Sequence, residues 1–313
     1  MNAPKAFAVL GPTAGGKTAL ALNIAQSLPV EIISLDSALV YRGMDIGTAK
    51  PTAEELAAVQ HHLIDIISPL ESYSAADFVG DCVRLVNEIH ARGRYPLIVG
   101  GTMMYFHALT EGLNDLPSAD TAVRAQLQAE KSEHGLAGLY RRLQEVDPIT
   151  AGRLKANDSQ RIERALEVYL LTGKPLSEHF TEQKQAASLL DLCTVALIPE
   201  DRHLLHQQIE KRFLNMLEHG FLDEMHALRL DYPQLHADMP SMRCVGYRQA
   251  WDYLEGETDY DTFVEKGIIA TRQLAKRQLT WLRKIPLAHT LDPYADSDYV
   301  QTALALARQH FQE

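Results

Sequence analysis

The sequence lacks the features of membrane-spanning, disulfide-linked and repeat proteins. No apolar run among the 313 residues approaches the roughly 18 that a membrane-spanning helix requires. The short apolar segment near the amino end is expected to be a first strand rather than a signal peptide. Cys82, Cys193 and Cys244 are scattered and form no Cys-x-x-Cys pair, so we expect reduced thiols in a cytoplasmic protein. No internal repeat or low-complexity tract is present.

Positive charge is also scarce. The 30 Lys and Arg residues are outnumbered by 41 Asp and Glu residues, which gives a formal net charge of -11. This balance argues against indiscriminate nucleic-acid binding, but it leaves room for a basic face, because the field at the contacting surface decides. No heptad pattern or long exposed edge indicates a dimer, so the default expectation is a monomer.

The strongest motif is GPTAGGKT at Gly11–Thr18, which fits the phosphate-loop pattern G-x-x-x-x-G-K-[ST]. An apolar run suited to a buried strand precedes it, and a helical stretch from Lys17 to Leu28 follows. Glycines let the backbone amides point inward, and the helix N-terminus adds partial positive charge. The motif therefore predicts binding of linked phosphates, with Lys17 as a point charge and Thr18 as a ligand of Mg²⁺. The predicted diphosphate-binding residues are Gly11, Thr13, Ala14, Gly15, Gly16, Lys17 and Thr18.

The first hundred residues alternate strand and helix. Ser74 to Arg92 reads as a helix, with Ser74 as N-cap and Asp77 completing a capping box. The order strand–helix–strand predicts an α/β fold, a P-loop NTPase-like parallel sheet flanked by helices on both faces. The predicted strands in this part are Lys5–Leu10, Val30–Leu35, Leu63–Ile67 and Tyr95–Val99.

Residues 115–186 interrupt this pattern, because they contain helical stretches and no convincing strand. We interpret them as a helical insertion domain in a core formed by residues 1–114 and 187–313. A strand returns at Asp191–Ile198, and Leu287–Leu291 is a candidate edge strand. The remaining predicted helices are Arg202–His219, Phe221–Leu230, Gly246–Leu254, Asp261–Arg283 and one that begins near Ser297.

Ligands of open parallel sheets bind beyond the carboxyl ends of the strands. The second strand ends at Asp36 and Ser37, and the strand after Tyr95 runs into Gly100, Gly101 and Thr102. Asp36 beside a phosphate loop is suited to accept a proton or hold a metal, although Asp-Ser is also common in turns.

The carboxylate that nucleotide-hydrolysing enzymes carry at a second strand end is missing. Asp65 is the only approximation, and it follows just two apolar residues within a predicted strand. No Asn-Lys-x-Asp guanine-binding motif is present either. A strong loop without these partners favours phosphates that belong to something other than a nucleotide.

Basic and aromatic side chains concentrate in the carboxyl half. On one predicted helix, Arg272, Lys276 and Arg283 share a side, and the other face is expected to pack into the core through Leu274, Trp281 and Ile285. Two further groups are Arg161 with Arg164 and Arg243 with Tyr247 and Arg248. Arginine beside planar aromatic groups suits recognition of unstacked RNA bases. Taken singly, each group is more typical of a solvated helix face than of an RNA-binding site.

Together these segments resemble the bacterial tRNA dimethylallyltransferase (tRNA isopentenyltransferase) family. The similarity extends in order from Gly11 to Lys284, and the Asp-Ser, Gly-Gly-Thr and Ala-Lys-Arg-Gln segments make it more specific than the loop alone. The matching segments are GPTAGGKT, ISLDSALVYRGMDIGTAKP, HHLID, VGGTMMY, GLNDLP, NDSQRIERALEVYLLTGKP, KRFLNMLEHGFLDE, MRCVGYRQ and TRQLAKRQLTWLRK.

The resemblance implies transfer of a dimethylallyl group from its diphosphate to the exocyclic amine of the adenosine just 3′ of the anticodon. It implies tRNAs that read codons beginning with U, Mg²⁺ as cofactor, and an insertion domain that contacts the tRNA anticodon stem-loop. Asp36 would be the general base, Thr102 would orient it or the amine, and Lys17 with Arg212 would stabilise the leaving diphosphate. The implied tRNA contacts are Asp36, Ser37, Ala38, Leu39, Thr102, Arg124, Gln160, Arg161, Arg164, Arg243, Gly246, Tyr247, Arg248, Lys276, Arg277 and Arg283.

Two other interpretations of the same residues remain. A small-molecule kinase would use ATP at the loop, Asp36 as base toward a hydroxyl and the insertion as a lid. An RNA-binding module with a structural nucleotide would need no catalytic role for Asp36.

Overall fold

The structure is a computed structural model that describes residues 3–112, 116–117, 120–181, 189–286 and 289–312. Two compact units are present, one formed by Met1–Thr110 with Ser188–Glu313 and the other by Glu111–Ala187. Within the described ranges, no helix is both long and apolar enough to cross a membrane.

The first unit is built on a parallel sheet with the strand order β3-β2-β4-β1-β5-β6 in the described residues. Every pair of neighbouring strands is parallel. The predicted α/β fold class is thereby confirmed. The strands are β1 Lys5–Leu10, β2 Val30–Leu35, β3 His61–His62, β4 Tyr95–Gly100, β5 Asp191–Leu197 and β6 His289–Leu291.

Helices cover the sheet and form the second unit. Most predicted helices are present with ends shifted by one or two residues, whereas two short helices, α2 and α4, were not predicted. The helices are α1 Lys17–Ser27, α2 Ala53–Ala58, α3 Ala75–Ala91, α4 Met103–Glu111, α5 Thr121–Val146, α6 Pro148–Arg153, α7 Ser159–Thr172, α8 Leu176–Thr181, α9 Arg202–Glu218, α10 Phe221–Asp231, α11 Tyr247–Leu254, α12 Tyr260–Leu282 and α13 Tyr299–Gln312.

Strict alternation along the strands produces two cores, one on each face of the sheet. In β1, Ala6, Ala8 and Leu10 pack with the α3 and α12 side. Phe7 and Val9 pack with the α1 and α13 side. Because both faces are covered, the strands read as continuous apolar runs, which is why they were recognisable in the sequence.

A third cluster lies among α9, α10, α11 and α12. Phe213 and Phe263 meet edge to face with ring centroids 5.9 Å apart, and Phe221 meets Tyr247 in the same way at 5.1 Å. This aromatic packing fixes α12 against α9, and both of these helices line the site described below.

The second unit has its own small core. Leu127, Leu139 and Leu143 of α5 pack with Ile162 and Leu166 of α7. The unit is helical throughout its described residues, and α5 is interrupted at Gly135, whose φ is +68°.

The predicted strand at Leu63–Ile67 was wrong. Only His61 and His62 pair with β2, and the chain then turns, with positive φ angles of 62° at Leu63 and 55° at Asp65. Asp65 is held by an ion pair to Lys50, which also binds Asp45, so its carboxylate serves the loop rather than a strand end. Of the predicted edge strand at Leu287–Leu291, the part before residue 289 lies outside the described residues.

Candidate functional site

A cavity of about 670 Å³ opens at the carboxyl ends of β1, β2 and β4, entirely within the first unit. It joins the phosphate loop to Asp36, to the segment after β4, and to side chains of α9 and α12. The sheet topology therefore brings together the segments that the sequence placed at the strand ends. Its polar lining includes Thr13, Lys17, Thr18, Asp36, Thr102, Arg212, Arg243 and Arg277.

The phosphate loop has the tight backbone that its glycines predict. Gly15 N donates to Pro12 O at 3.1 Å, and Gly16 precedes α1 with a φ of +82°. At Gly11, a side chain would meet Lys17 Cγ at 3.0 Å, so a larger residue would displace the lysine. The first amides of α1 have no partner within the helix and are suited to bind an anion.

Lys17 folds back over the loop, where its Nζ donates to Pro12 O at 2.7 Å. Burial lowers the pKa of Lys17 to about 8, the Asp36 carboxylate acts against this shift, and the nearby Arg212 lowers the pKa further. The ammonium group is therefore poised to gain stabilisation from an incoming anion.

Arg212 reaches the cavity from α9. Burial lowers its pKa, and the Asp36 carboxylate partly opposes this effect. In the described ranges, no carboxylate forms an ion pair with the Arg212 guanidinium. Two desolvated cations that share a single nearby carboxylate leave unbalanced positive charge in the cavity, which suits a diphosphate.

Asp36 follows β2 and is half-buried. Its Oδ1 accepts a hydrogen bond from Ala38 N at 2.8 Å, so the residue does form the turn that the sequence suggested as an alternative role. Its negative charge also reaches Cys244, where burial first and Asp36 second raise the thiol pKa to about 12. Asp36 thus combines a structural hydrogen bond with a charge that faces the cavity.

Thr102 contacts Ser37 rather than Asp36. Ser37 N donates to Thr102 Oγ1 at 3.0 Å. The Thr102 hydroxyl in turn donates to Ser37 Oγ at 3.3 Å. The amides of Gly101 and Thr102 both donate to Leu35 O at 3.2 Å. Thr102 therefore holds the backbone next to Asp36 and forms no hydrogen bond with the Asp36 carboxylate in the described residues.

Gln278 is a site residue that the sequence reasoning did not single out. From α12 its amide reaches both the phosphate loop and the end of β4, and it is 9% exposed. The available signal was the helical spacing of Thr271, Leu274, Gln278 and Trp281, which places Gln278 on the face of α12 that lines the cavity.

The expectation that Trp281 faces the core was wrong. Its side chain is 41% exposed and lines the cavity, where its ring lies 5.6 Å from the ring of His107. Leu274 also lines the cavity, because the buried stripe of α12 opens toward it near the sheet edge.

Many of the predicted tRNA-contacting residues are accessible. Ala38 and Leu39 are half-buried and line the cavity, as does the exposed Arg243. Arg277 is also exposed there. The other exposed members of the set are Ser37, Arg124, Gln160, Arg161, Lys276 and Arg283.

Arg124 and Arg164 are held by a buried carboxylate in the second unit. Glu167 is 1% exposed and accepts from Arg124 Nε at 2.9 Å and from Arg164 Nη1 at 2.8 Å. Burial alone would raise the pKa of Glu167, but the hydrogen bonds from the two arginines and from Asp120 N lower it. These pairs argue for a structural role of both arginines.

Tyr247 is fully buried, which argues against direct stacking of its ring on RNA. Its hydroxyl donates to Glu224, whose carboxylate also accepts from the backbone amides of Asp45, Ile46 and Gly47. These bonds fix the loop that precedes Lys50.

The neighbours of Tyr247 are also engaged. Gly246 is buried with a φ of +93°. Arg248 donates to Ala237 O at 2.9 Å and pairs with Asp252 at 3.3 Å. The residues from Gly246 to Arg248 therefore have a mainly structural role, in contrast to the exposed Arg243.

A parallel sheet with a phosphate loop at its carboxyl edge, joined by one cavity to a carboxylate, defines a P-loop-like α/β protein whose site suits a phosphorylated ligand. The chain belongs to the IPP transferase family, whose sequence model matches residues 39–285. This assignment confirms the resemblance drawn from the sequence motifs.

Related proteins are similar in sequence to this chain along nearly its whole length. A tRNA dimethylallyltransferase of Neisseria meningitidis serogroup A is 66% identical over 311 residues, covering 99% of both chains. One from Neisseria gonorrhoeae is 63% identical over all 313 residues, covering 100% of both.

Solved structures show the same architecture. The tRNA isopentenylpyrophosphate transferase of Bacillus halodurans is 37% identical, with a TM-score of 0.71 and coverage of 99% of this chain and 97% of that one. A eukaryotic dimethylallyltransferase acting on tRNA is 29% identical, with a TM-score of 0.83 over 98% of this chain and 79% of that one.

Proposed function

We propose that this protein transfers a dimethylallyl group from dimethylallyl diphosphate to N6 of adenosine 37, 3′ of the anticodon, in tRNAs that read codons beginning with U. The products are N6-isopentenyladenosine and diphosphate. The observation that carries the proposal is one cavity lined by Lys17, Arg212 and Asp36, whose charges act on one another. Full-length relatives named tRNA dimethylallyltransferase support it.

The leaving group would be stabilised by the loop and the two cations. Breaking the carbon–oxygen bond builds negative charge on the diphosphate, which Lys17, Arg212 and the first amides of α1 are placed to receive. Thr13 N is already bound to Gln278 Oε1 at 2.8 Å, so its amide is not free for the anion. Each ~1.4 kcal/mol of such stabilisation raises the rate about tenfold.

Asp36 would take the proton from the attacking amine. An adenine amine is a weak nucleophile whose proton becomes acidic only as the new carbon–nitrogen bond forms, so an ordinary carboxylate suffices as base. Thr102 would steady this base through Ser37.

The cavity also suits Mg²⁺. Within the described residues, no cluster of three or more His, Cys, Asp or Glu could hold a metal. Mg²⁺ usually keeps several waters and binds through few protein ligands and substrate phosphates, so this donor set is compatible with it. Thr18 is exposed at the cavity, and the hydroxyl of Ser34, which also lines the cavity, is buried without a hydrogen-bond partner. We propose that Thr18 and the diphosphate hold the ion, which would neutralise charge on the leaving group.

The RNA would reach the cavity as an unstacked loop nucleotide, which costs less to extrude than a paired one. Exposed Arg243, Lys276, Arg277 and Arg283 provide positive charge near or along α12 for its phosphates. We further propose that the second unit contacts the anticodon stem through Gln160 and Arg161. A monomer located in the cytoplasm is part of the same proposal.

A single-turnover assay with unmodified tRNA, Mg²⁺ and labelled dimethylallyl diphosphate tests the function. We expect label transfer by the natural chain and a loss of about 10²–10⁴-fold in rate for Asp36→Asn, with tRNA binding kept. Lys17→Met should weaken dimethylallyl diphosphate binding as well as the rate.

Lys211→Met, an exposed lysine next to Arg212, is the matched control and should behave like the natural chain. ATP consumption without label transfer would establish the kinase interpretation. Tight tRNA binding without product would establish the RNA-binding module, and transfer that survives in Asp36→Asn would remove the assigned base.

A further inference from the structure

The Gln278 side chain bridges two backbone segments of the site. Its Oε1 accepts from Thr13 N at 2.8 Å, and its Nε2 donates to Gly101 O at 2.9 Å. Because an amide oxygen accepts and an amide nitrogen donates, the two contacts fix the orientation of the side chain. Thr13 belongs to the phosphate loop, and Gly101 follows β4.

Gly101 is shaped for this contact. A Cβ at Gly101 would lie 2.5 Å from Gln278 Nε2 and 2.9 Å from Gly11 O. The absence of a side chain at position 101 therefore allows the glutamine to approach the backbone. Gly11 N in turn donates to Gly100 O at 3.3 Å, so the loop and the end of β4 are also joined by a direct backbone hydrogen bond.

The bridge continues to the proposed base. Thr102 follows Gly101 and accepts from Ser37 N, and Ser37 follows Asp36. Gln278 thus stands between the part of the site that receives the diphosphate and the part that carries the carboxylate. A buried polar side chain with both groups satisfied by backbone partners rigidifies the segments that it joins.

The same helix presents a different face outward. Lys276 and Arg277 are exposed beside the buried Gln278, and Trp281 lies one turn further along the cavity. Gln278 falls within the segment implied to contact tRNA, yet its side chain points into the protein and toward the phosphate loop.

We propose that Gln278 is a positioning residue for the leaving group. It holds the phosphate loop at a fixed distance from Gly101, and through Thr102 and Ser37 from the backbone that carries Asp36. This inference rests on the proposed function for its kinetic consequences, but its effect on diphosphate binding is independent of it. Gln278 touches neither the reacting amine nor the allylic carbon; it acts through Thr13 and Gly101.

The test compares Gln278→Leu, which removes both bonds, with Gln278→Glu, which keeps an acceptor for Thr13 N but loses the donor to Gly101 O. The measurements are the Kd of inorganic diphosphate by calorimetry and separate KM values for dimethylallyl diphosphate and tRNA. For Gln278→Leu we expect the Kd and the KM for dimethylallyl diphosphate to rise about five- to thirtyfold, with the KM for tRNA unchanged. Gln278→Glu should also weaken diphosphate binding, because its charge lies near the loop.

Gln273→Leu is the matched control, because Gln273 is an exposed glutamine on the same helix. It should leave all three constants and the Tm unchanged. Natural diphosphate affinity in Gln278→Leu would overturn the proposal. So would a parallel loss of Tm, diphosphate affinity and tRNA affinity, since that pattern marks a residue needed only for folding. If the natural chain transfers no label, the proposed function fails, while the calorimetric comparison still decides the role of Gln278.

Discussion

Lys17 has a charge state that depends on what occupies the cavity. Burial lowers its pKa to about 8, so near that pH the free protein holds a mixture of ammonium and amine. A bound diphosphate favours the charged form and raises the pKa. Below pH 8 the cation is present before the ligand arrives; above pH 8, binding must take up a proton.

We therefore expect the affinity for dimethylallyl diphosphate to be constant between pH 7 and the pKa of Lys17 and to fall by up to about tenfold per pH unit above it. Calorimetry in buffers of different ionisation enthalpy would detect the accompanying proton uptake. Lys17→Arg stays charged throughout and should lose both effects. Equal pH profiles for the two proteins would assign the titration to another group.

At this scale, the sequence predicted which residues share the cavity better than it predicted which side chains are exposed. Lys17 and Asp36 share the cavity, as a phosphate loop and a strand end require, and so does Arg212, which the family resemblance implied. Tyr247, in contrast, is an aromatic in a basic segment and is nevertheless fully buried against Phe221. A pattern of Arg and Tyr does not reveal which partners already satisfy them, because those partners come from distant parts of the chain.

Among the elements, α12 carries the greatest part of the site, and its position depends on a glycine. A Cβ at Gly267 would lie 2.2 Å from Phe213 Cζ of α9. A glycine inside a helix usually costs stability, so here it is explained by the close crossing of two helices.

We expect Gly267→Ala to lower the free energy of unfolding by about 1–3 kcal/mol, because the Phe213 ring must move. Gly80→Ala is the control: Gly80 is exposed in α3 with nothing within 4 Å of a new Cβ, and it should gain about 0.5–1 kcal/mol. Urea unfolding midpoints at constant m-value measure both changes. Similar shifts in the two variants would show that the helix crossing tolerates the methyl group.

Element prediction succeeded for helices with readable caps and failed for short elements, of which α4 is largely buried and α2 is not. The Ser74 capping box and the buried stripe of α3 were both readable, and the helix begins at Ala75. Helix α2 has an equally good capping box formed by Thr52 and Glu55, but it has six residues and none is buried. Without a buried face the short helix leaves no periodic signal, and the two-residue strand β3 leaves none either.

The whole molecule has a net charge of -11, although the substrate that we propose for it, tRNA, is a polyanion. The structure resolves the arginines into two groups that the sequence could not separate. Arg124 is bound to the buried Glu167, whereas Arg277 is exposed at the cavity and forms no ion pair within the described residues. Arg277 can therefore neutralise RNA phosphates with its full charge, whereas Arg124, although its side chain is 58% exposed, already shares its charge with Glu167.

Salt dependence of tRNA binding distinguishes these two groups, because each phosphate contact contributes to the slope of log K against log salt. We expect Arg277→Gln to reduce the magnitude of that slope by about 1. Arg124→Gln should leave the slope unchanged but lower the Tm, since Glu167 then loses one of its two arginine partners in a buried setting. Filter binding across a salt series, with thermal unfolding of both variants, provides the data. An equal loss of slope in the two variants would place Arg124 on the RNA and contradict its structural assignment.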